Sequence, residues 1–257
     1  MQNILEIILI IVIGLCIGSF ITMASFRFAV DNKKIKDLIF NRSACPSCGN
    51  ELKVKNLIPV FSWLYQKGKC SFCRKNIPVR YPLIEVSSAI TFLIIFLSVG
   101  QIFSIKLLLL FLMATLLLIM IVTDLEHYFI PDVTQIVLFC SALIYHLVVK
   151  SKFGFLYYFI SAGLFLAFAL ALHYGFLLIA KKRAIGIDDI KFFIVAGFLL
   201  GLHQFPIFMI FSGGLGIIFG LIWQRIKNDE TFPFAPALVA SLIICLLYGD
   251  IMHKYLY

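Results

Sequence analysis

The sequence predicts an all-α polytopic membrane protein, with about eight transmembrane helices and a small zinc-ribbon-like cytoplasmic insert. Three observations predict it. Of 257 residues, 62% are hydrophobic and 14% charged; the apolar positions gather into stretches long enough to cross a bilayer; and one polar segment holds two C-x-x-C pairs. A span takes roughly 20 apolar residues, so eight use about 160, close to what this composition supplies. The same numbers exclude an ordinary soluble globule, a disordered chain and a disulfide-stapled secreted domain, since there are seven Cys and 15% aromatic residues. A net charge of +9 raises nucleic-acid binding, but on so apolar a chain Lys and Arg mark cytoplasmic loops, so no nucleic-acid partner is expected.

The first apolar stretch, Ile4 to Phe26, has no basic residue before it, unlike a secretory signal peptide, and reads as a retained span. From Arg27 to Arg80 run twelve basic residues opposed by Asp31, Asp37 and Glu51, which puts this segment in the cytoplasm and the N-terminus outside. Further spans are expected at Leu83–Val99, Phe103–Thr123, Val133–Val149, Phe155–Ala180, Ile190–Leu202, Phe205–Trp223 and Ala235–Gly249, with turns at Gly100-Gln101, Lys150 to Gly154 and His203 to Pro206. The pair between Ile190 and Trp223 is short. Two crossings there keep Lys181, Lys182, Arg183, Arg225 and Lys227 on one side, so that 18 of 22 basic residues are cytoplasmic and the C-terminus lies outside. The expected organisation is a first span over 1–30, a four-cysteine insert over 31–82 and a seven-span region over 83–257. Lys33, Lys34 and Lys36 followed by Leu38, Ile39 and Phe40 read either as an amphipathic segment on membrane lipid or as topogenic charge.

Cys45-Pro46-Ser47-Cys48 and Cys70-Ser71-Phe72-Cys73 stand 21 residues apart in the insert. Two Cys on one tight turn direct their thiolates at one ion, and a second pair completes a closed tetrahedral site with no position left for a reactive water. The site reads as structural zinc. A redox dithiol competes, and a reducing cytoplasm disfavours it. So short an insert, poor in large apolar side chains, draws folding free energy from its metal. Cys16, Cys140 and Cys245 lie singly in apolar spans and read as packing residues.

Ionisable groups at the ends of apolar spans read as functional. Asp124 ends one run, and Asp188-Asp189 precede another. Two crossings separate them, so both return to one side of the membrane. Two carboxyl groups held close together share one proton: the ionised one activates a water, and the protonated one donates to the oxyanion of a peptide under attack. As an alternative, Asp124 and Asp132 cap helices beside Pro131, and Asp188 or Asp189 caps the next span. His127 beside Asp124 reads as solvated, or as a metal ligand or general base, and Lys191 as balancing Asp188 and Asp189 or as snorkelling.

These residues resemble the type IV prepilin peptidase family, in Gly18-Ser19-Phe20, the two Cys pairs, Ile58-Pro59 with Ser62, Tyr81-Pro82 with Glu85, Asp124 with Ile130-Pro131-Asp132, and Asp189-Ile190-Lys191 with Gly197 and Gly201. The resemblance runs nearly end to end. It implies an aspartic endopeptidase of the bacterial inner membrane that removes the basic leader of prepilins and pseudopilins at the cytoplasmic face, for type IV pili or type II secretion. N-methylation of the new N-terminus from S-adenosylmethionine would follow. It implies Asp124 and Asp189 as the catalytic pair and names no residue for the methyl donor; Glu85 reads equally as a salt bridge to Arg80 or a methyl-transfer base. Two departures stand out. Where the family has G-x-G-D-x-K, this chain has Gly186-Ile187-Asp188-Asp189-Ile190-Lys191, and where it has P-F-G-P, Pro233-Phe234-Ala235-Pro236. They leave open a weakened or inactive homologue that binds pilins as an assembly factor.

Overall fold

A computed structural model describes residues 3–30, 42–99, 104–149, 153–181, 185–227 and 231–256. The basic segment Lys33 to Phe40, the turn at Gly100-Gln101, Lys150, Lys182 and Arg183 lie outside them. Among the described residues nine α-helices follow in order: α1 (Ile4–Val30), α2 (Phe61–Tyr65), α3 (Arg80–Val99), α4 (Ile105–His127), α5 (Asp132–Val149), α6 (Phe155–Ala180), α7 (Ile187–Leu200), α8 (Phe205–Lys227) and α9 (Ala235–Leu256). Pairing between extended residues is confined to two isolated bridges, Ala44 with Glu51 and Lys69 with Asn76. The chain divides into two compact units, Met1–Val122 and Thr123–Tyr257.

Eight of these helices occupy the eight expected spans. Six, α1, α3, α4, α5, α6 and α8, are long and apolar enough to cross a membrane, and their outward faces are apolar, with Ile4, Leu156 and Ile179 between 72% and 88% exposed. In water that exposure would be costly; in lipid it is the matching solvent. The protein is integral to the membrane.

In the first unit α1 packs along α3. Gly14 and Gly18 make the approach possible: a Cβ at Gly14 would stand 2.6 Å from Ala89 Cα, and one at Gly18 2.4 Å from Glu85 Cα. Small residues four apart let membrane helices touch backbone to backbone, which compensates for the missing hydrophobic drive inside lipid. Phe92 and Phe111 stack at 4.2 Å in a cluster with Ile10, Phe96, Leu107 and Ala114. Gly18→Leu is expected to force α1 off α3 at a cost of about 1–3 kcal/mol, measurable as a lower melting temperature in detergent.

The second unit is built around α7, which contacts α5, α6 and α9. At 14 residues it is about 21 Å long, shorter than the roughly 30 Å hydrocarbon core. A short span is tolerated where protein rather than lipid surrounds it, and nine of its residues are buried, from Ile190 to Leu200. His146 Nε2 lies 2.9 Å from the Phe198 carbonyl, joining α5 to α7. Of the three single cysteines only Cys245 is buried; Cys16 and Cys140 are exposed. The packing role expected for those two is corrected: apolar residues on a membrane helix face lipid as readily as core.

Candidate active site

Asp124 sits on the last turn of α4. Tyr128 ends that helix in the left-handed conformation, φ 57°, with its N–H donated to the Asp124 carbonyl at 3.0 Å. The Asp124 side chain is 6% exposed, and its Oδ2 accepts the Ala235 N–H at 2.7 Å. Ala235 opens α9, so the carboxylate faces the positive end of a helix dipole, where an anion is stabilised.

Asp189 lies in the first turn of α7, ahead of the apolar run that starts at Ile190, and keeps partial solvent access. Its Oδ2 accepts the N–H of Gly186 at 3.3 Å. Gly186 caps α7, and a Cβ there would stand 3.0 Å from Asp189 Oδ2, so a bare backbone at this position leaves the carboxylate room. Burial first, and then the negative charge of Asp124, push the Asp189 carboxyl up to about 7. Two acids 65 positions apart in the chain thus feel each other's charge.

The neighbouring Asp188 turns elsewhere. Its Oδ1 lies 3.3 Å from Lys191 Nζ, its Oδ2 is 3.5 Å from the Ile130 N–H, and its carbonyl accepts from Gln135 Nε2 at 3.2 Å. Lys191 also pairs with Asp132. Asp188, Lys191 and Asp132 therefore tie the start of α7 to the loop between α4 and α5. The expectation that Lys191 balances both Asp188 and Asp189 holds for Asp188 alone. Asp188 adds like-charge pressure on Asp189, but less than Asp124 does. Asp188→Gly is expected to retain leader removal within a few-fold, since a glycine restores bare backbone and leaves the Lys191–Asp132 pair; a cleavage time course checks it. His127 ends α4 beside Glu126, Nε2 to Oε2 3.7 Å.

The four Sγ atoms of Cys45, Cys48, Cys70 and Cys73 lie within 4.8 Å of one another. Zn–S bonds of about 2.3 Å in a tetrahedron put sulfurs roughly 3.8 Å apart, and Cys45 and Cys73 are 3.9 Å apart. All four are free thiols, converging as one set rather than as two redox pairs. Both knuckles close alike: Gly49 donates to the Cys45 carbonyl and Arg74 to that of Cys70, with Gly49 and Arg74 both at positive φ. The Ser47 N–H lowers Cys45 to about 7. Cys73, despite the Lys75 N–H, is pushed up to about 11 by burial and the other three cysteines. Four sulfurs this close shed their protons together only around a cation, and the donor set fits a metal ion. Among residues 42–79 only Gly68 and Cys70 are buried, so the insert has almost no apolar core.

Two family models match the chain in succession, the Bacterial Peptidase A24 N-terminal domain over residues 12–99 and the Type IV leader peptidase family over residues 111–221. A Prepilin leader peptidase/N-methyltransferase of Bacillus subtilis (strain 168) is 33% identical over 250 residues, 94% of each chain. The chain belongs to the type IV leader peptidase family. Proteins with the same name from Legionella pneumophila, 32% identical over 88% of this chain and 79% of theirs, and Pseudomonas aeruginosa, 30% identical over 83% and 74%, are also similar. No solved structure matches. In this leader peptidase the two family departures have local reasons: the Asp188 side chain is occupied by Lys191, and at Ala235 the working group is a backbone N–H that alanine keeps. That N–H escapes sequence reasoning because a backbone donor belongs to no residue type; the only signal was the Pro233 to Pro236 motif.

Proposed function

We propose that this chain removes the basic leader from prepilins and pseudopilins at the cytoplasmic face of a bacterial inner membrane and N-methylates the new N-terminus. Asp124 and Asp189 are the catalytic pair. The observation that carries the reading is the unequal surroundings of the two acids: Asp124 accepts a hydrogen bond from a helix N-terminus, which offsets part of what burial costs its charge, while burial and the Asp124 charge push the Asp189 carboxyl up to about 7. Asp124 takes the proton of the attacking water, Asp189 donates to the developing oxyanion, and the proton then moves on to the leaving amine. The dyad titrates as a unit. As pH rises through about 7 Asp189 loses its proton, so cleavage is expected to fall about tenfold per pH unit on the alkaline side, read as kcat/KM on a prepilin.

Cys45, Cys48, Cys70 and Cys73 hold a structural zinc, which supplies folding free energy to the insert over 31–82 and no open coordination position for chemistry. The peptidase occupies 83–257, and S-adenosylmethionine is the methyl donor. Incubating the detergent-purified chain with a prepilin and following leader loss tests the reading. Intact precursor, under conditions where the Bacillus subtilis relative cuts, would leave a pilin-binding assembly factor in its place.

A further inference from the structure

We propose that the four-cysteine insert docks on the anionic lipid surface beside the first turns of α3, through the outward face of α2 and the lysines around it. Docking rests on the membrane setting of the chain and on no step of its chemistry. Phe61, Leu64 and Tyr65 stand three and four positions apart on α2, so they share one face, and they are 66%, 58% and 91% exposed. Trp63 on the same helix is held back by its Nε1 bond to the Ile77 carbonyl at 3.1 Å. Val54, in the short turn that packs against α2, is exposed as well. An insert whose buried residues over 42–79 are Gly68 and Cys70 thus turns these large apolar side chains outward. Water disfavours that exposure, whereas a bilayer surface takes up such a face between headgroups and acyl chains.

Depth and charge decide what covers this face. The Val60 N–H, at the start of α2, donates to Glu85 Oε2 at 2.7 Å, and Glu85 lies in the second turn of α3, a helix long and apolar enough to cross a membrane. Val60 adopts φ 62° to make that bond, a strained conformation for a β-branched residue. The bond sets the start of α2 level with the first two turns of α3, where a span meets the headgroups. Exposed Leu83, Ile90 and Ile94 mark the lipid-facing side of α3, and Val79, one turn before Leu83, is also exposed, so the apolar surface of the span continues back into the insert. From Leu52 to Val79 there are six basic residues and no acidic one. Lys53, Lys55, Lys67 and Lys69, which flank α2 and its preceding turn, are exposed. An anionic leaflet attracts such a rim. The basic leader of a prepilin carries the same sign and is repelled, so lipid rather than substrate is the occupant.

The test uses the full chain, with its metal, in vesicles of phosphatidylcholine alone or mixed with phosphatidylglycerol, each carrying a trace of phospholipid with a photoreactive acyl chain. In the mixed vesicles the label should mark peptides within residues 54–65, and in phosphatidylcholine alone about tenfold less, while the lipid-facing peptides of α3 label equally in both. That comparison needs no variant. Leu64→Glu combined with Tyr65→Glu places charge at two exposed positions, and should lower the insert label about tenfold or more with zinc per chain unchanged. Label confined to α3, insert label equal in both vesicles, insert label that the double variant retains, and displacement of that label by added prepilin each overturn the docking.

Discussion

Asp124→Asn and Asp189→Asn each lower leader removal by at least about a hundredfold, the contribution of one acid or base held in place. Asparagine keeps the shape of aspartate but can neither take a proton from water nor give one to an oxyanion. The fold should survive both changes: at position 124 the amide oxygen still accepts the Ala235 N–H, and at position 189 it still accepts the Gly186 N–H. An unchanged melting temperature with lost cleavage is therefore the expected pair of results. Cleavage that persisted in Asp189→Asn and vanished in Asp188→Gly would reverse the assignment. That outcome conflicts with the direction of the two side chains, since successive residues on a helix point about 100° apart and the Asp188 carboxylate is engaged with Lys191.

Stripping the metal with a strong chelator, or changing Cys45 or Cys70 to Ser, unfolds the insert while the membrane helices stay folded. Structural zinc contributes on the order of 10 kcal/mol of apparent free energy to such modules, and the insert has no compensating apolar core, with Val54 83% and Tyr65 91% exposed. Zinc analysis should give near one ion per chain in the wild type and near zero in either variant. Limited proteolysis should then cut within residues 42–79 at sites the wild type protects. Protection that persists without metal would show that packing alone supports the insert.

The membrane class, the order of the spans and the convergence of four cysteines are legible in the sequence because each is carried by residue type and spacing along the chain. Apolar runs must match a bilayer whose thickness is fixed. Two C-x-x-C pairs on tight turns aim their sulfurs at one point, and the four Sγ atoms do converge. The nearness of Asp124 and Asp189 follows from the even number of expected crossings between them, and Asp189 does feel the Asp124 charge. The Ile190 to Leu202 segment was legible as a span, though not why so short a helix is stable, which depends on its burial among α5, α6 and α9.

Tertiary structure alone decided which atoms serve those acids. The Ala235 N–H on Asp124, the Gly186 N–H on Asp189 and the Val60 N–H on Glu85 are backbone donors, common to every residue but proline, and only the fold selects which of them meets a carboxylate. The pairing of Lys191 with Asp132 and Asp188 rather than with Asp189 was settled the same way, because Asp132 reaches Lys191 from a helix 59 residues away in the chain. Whether Cys16, Cys140 or Cys245 faces lipid or protein also waits on packing, since in a membrane both environments are apolar and the sequence pattern does not separate them.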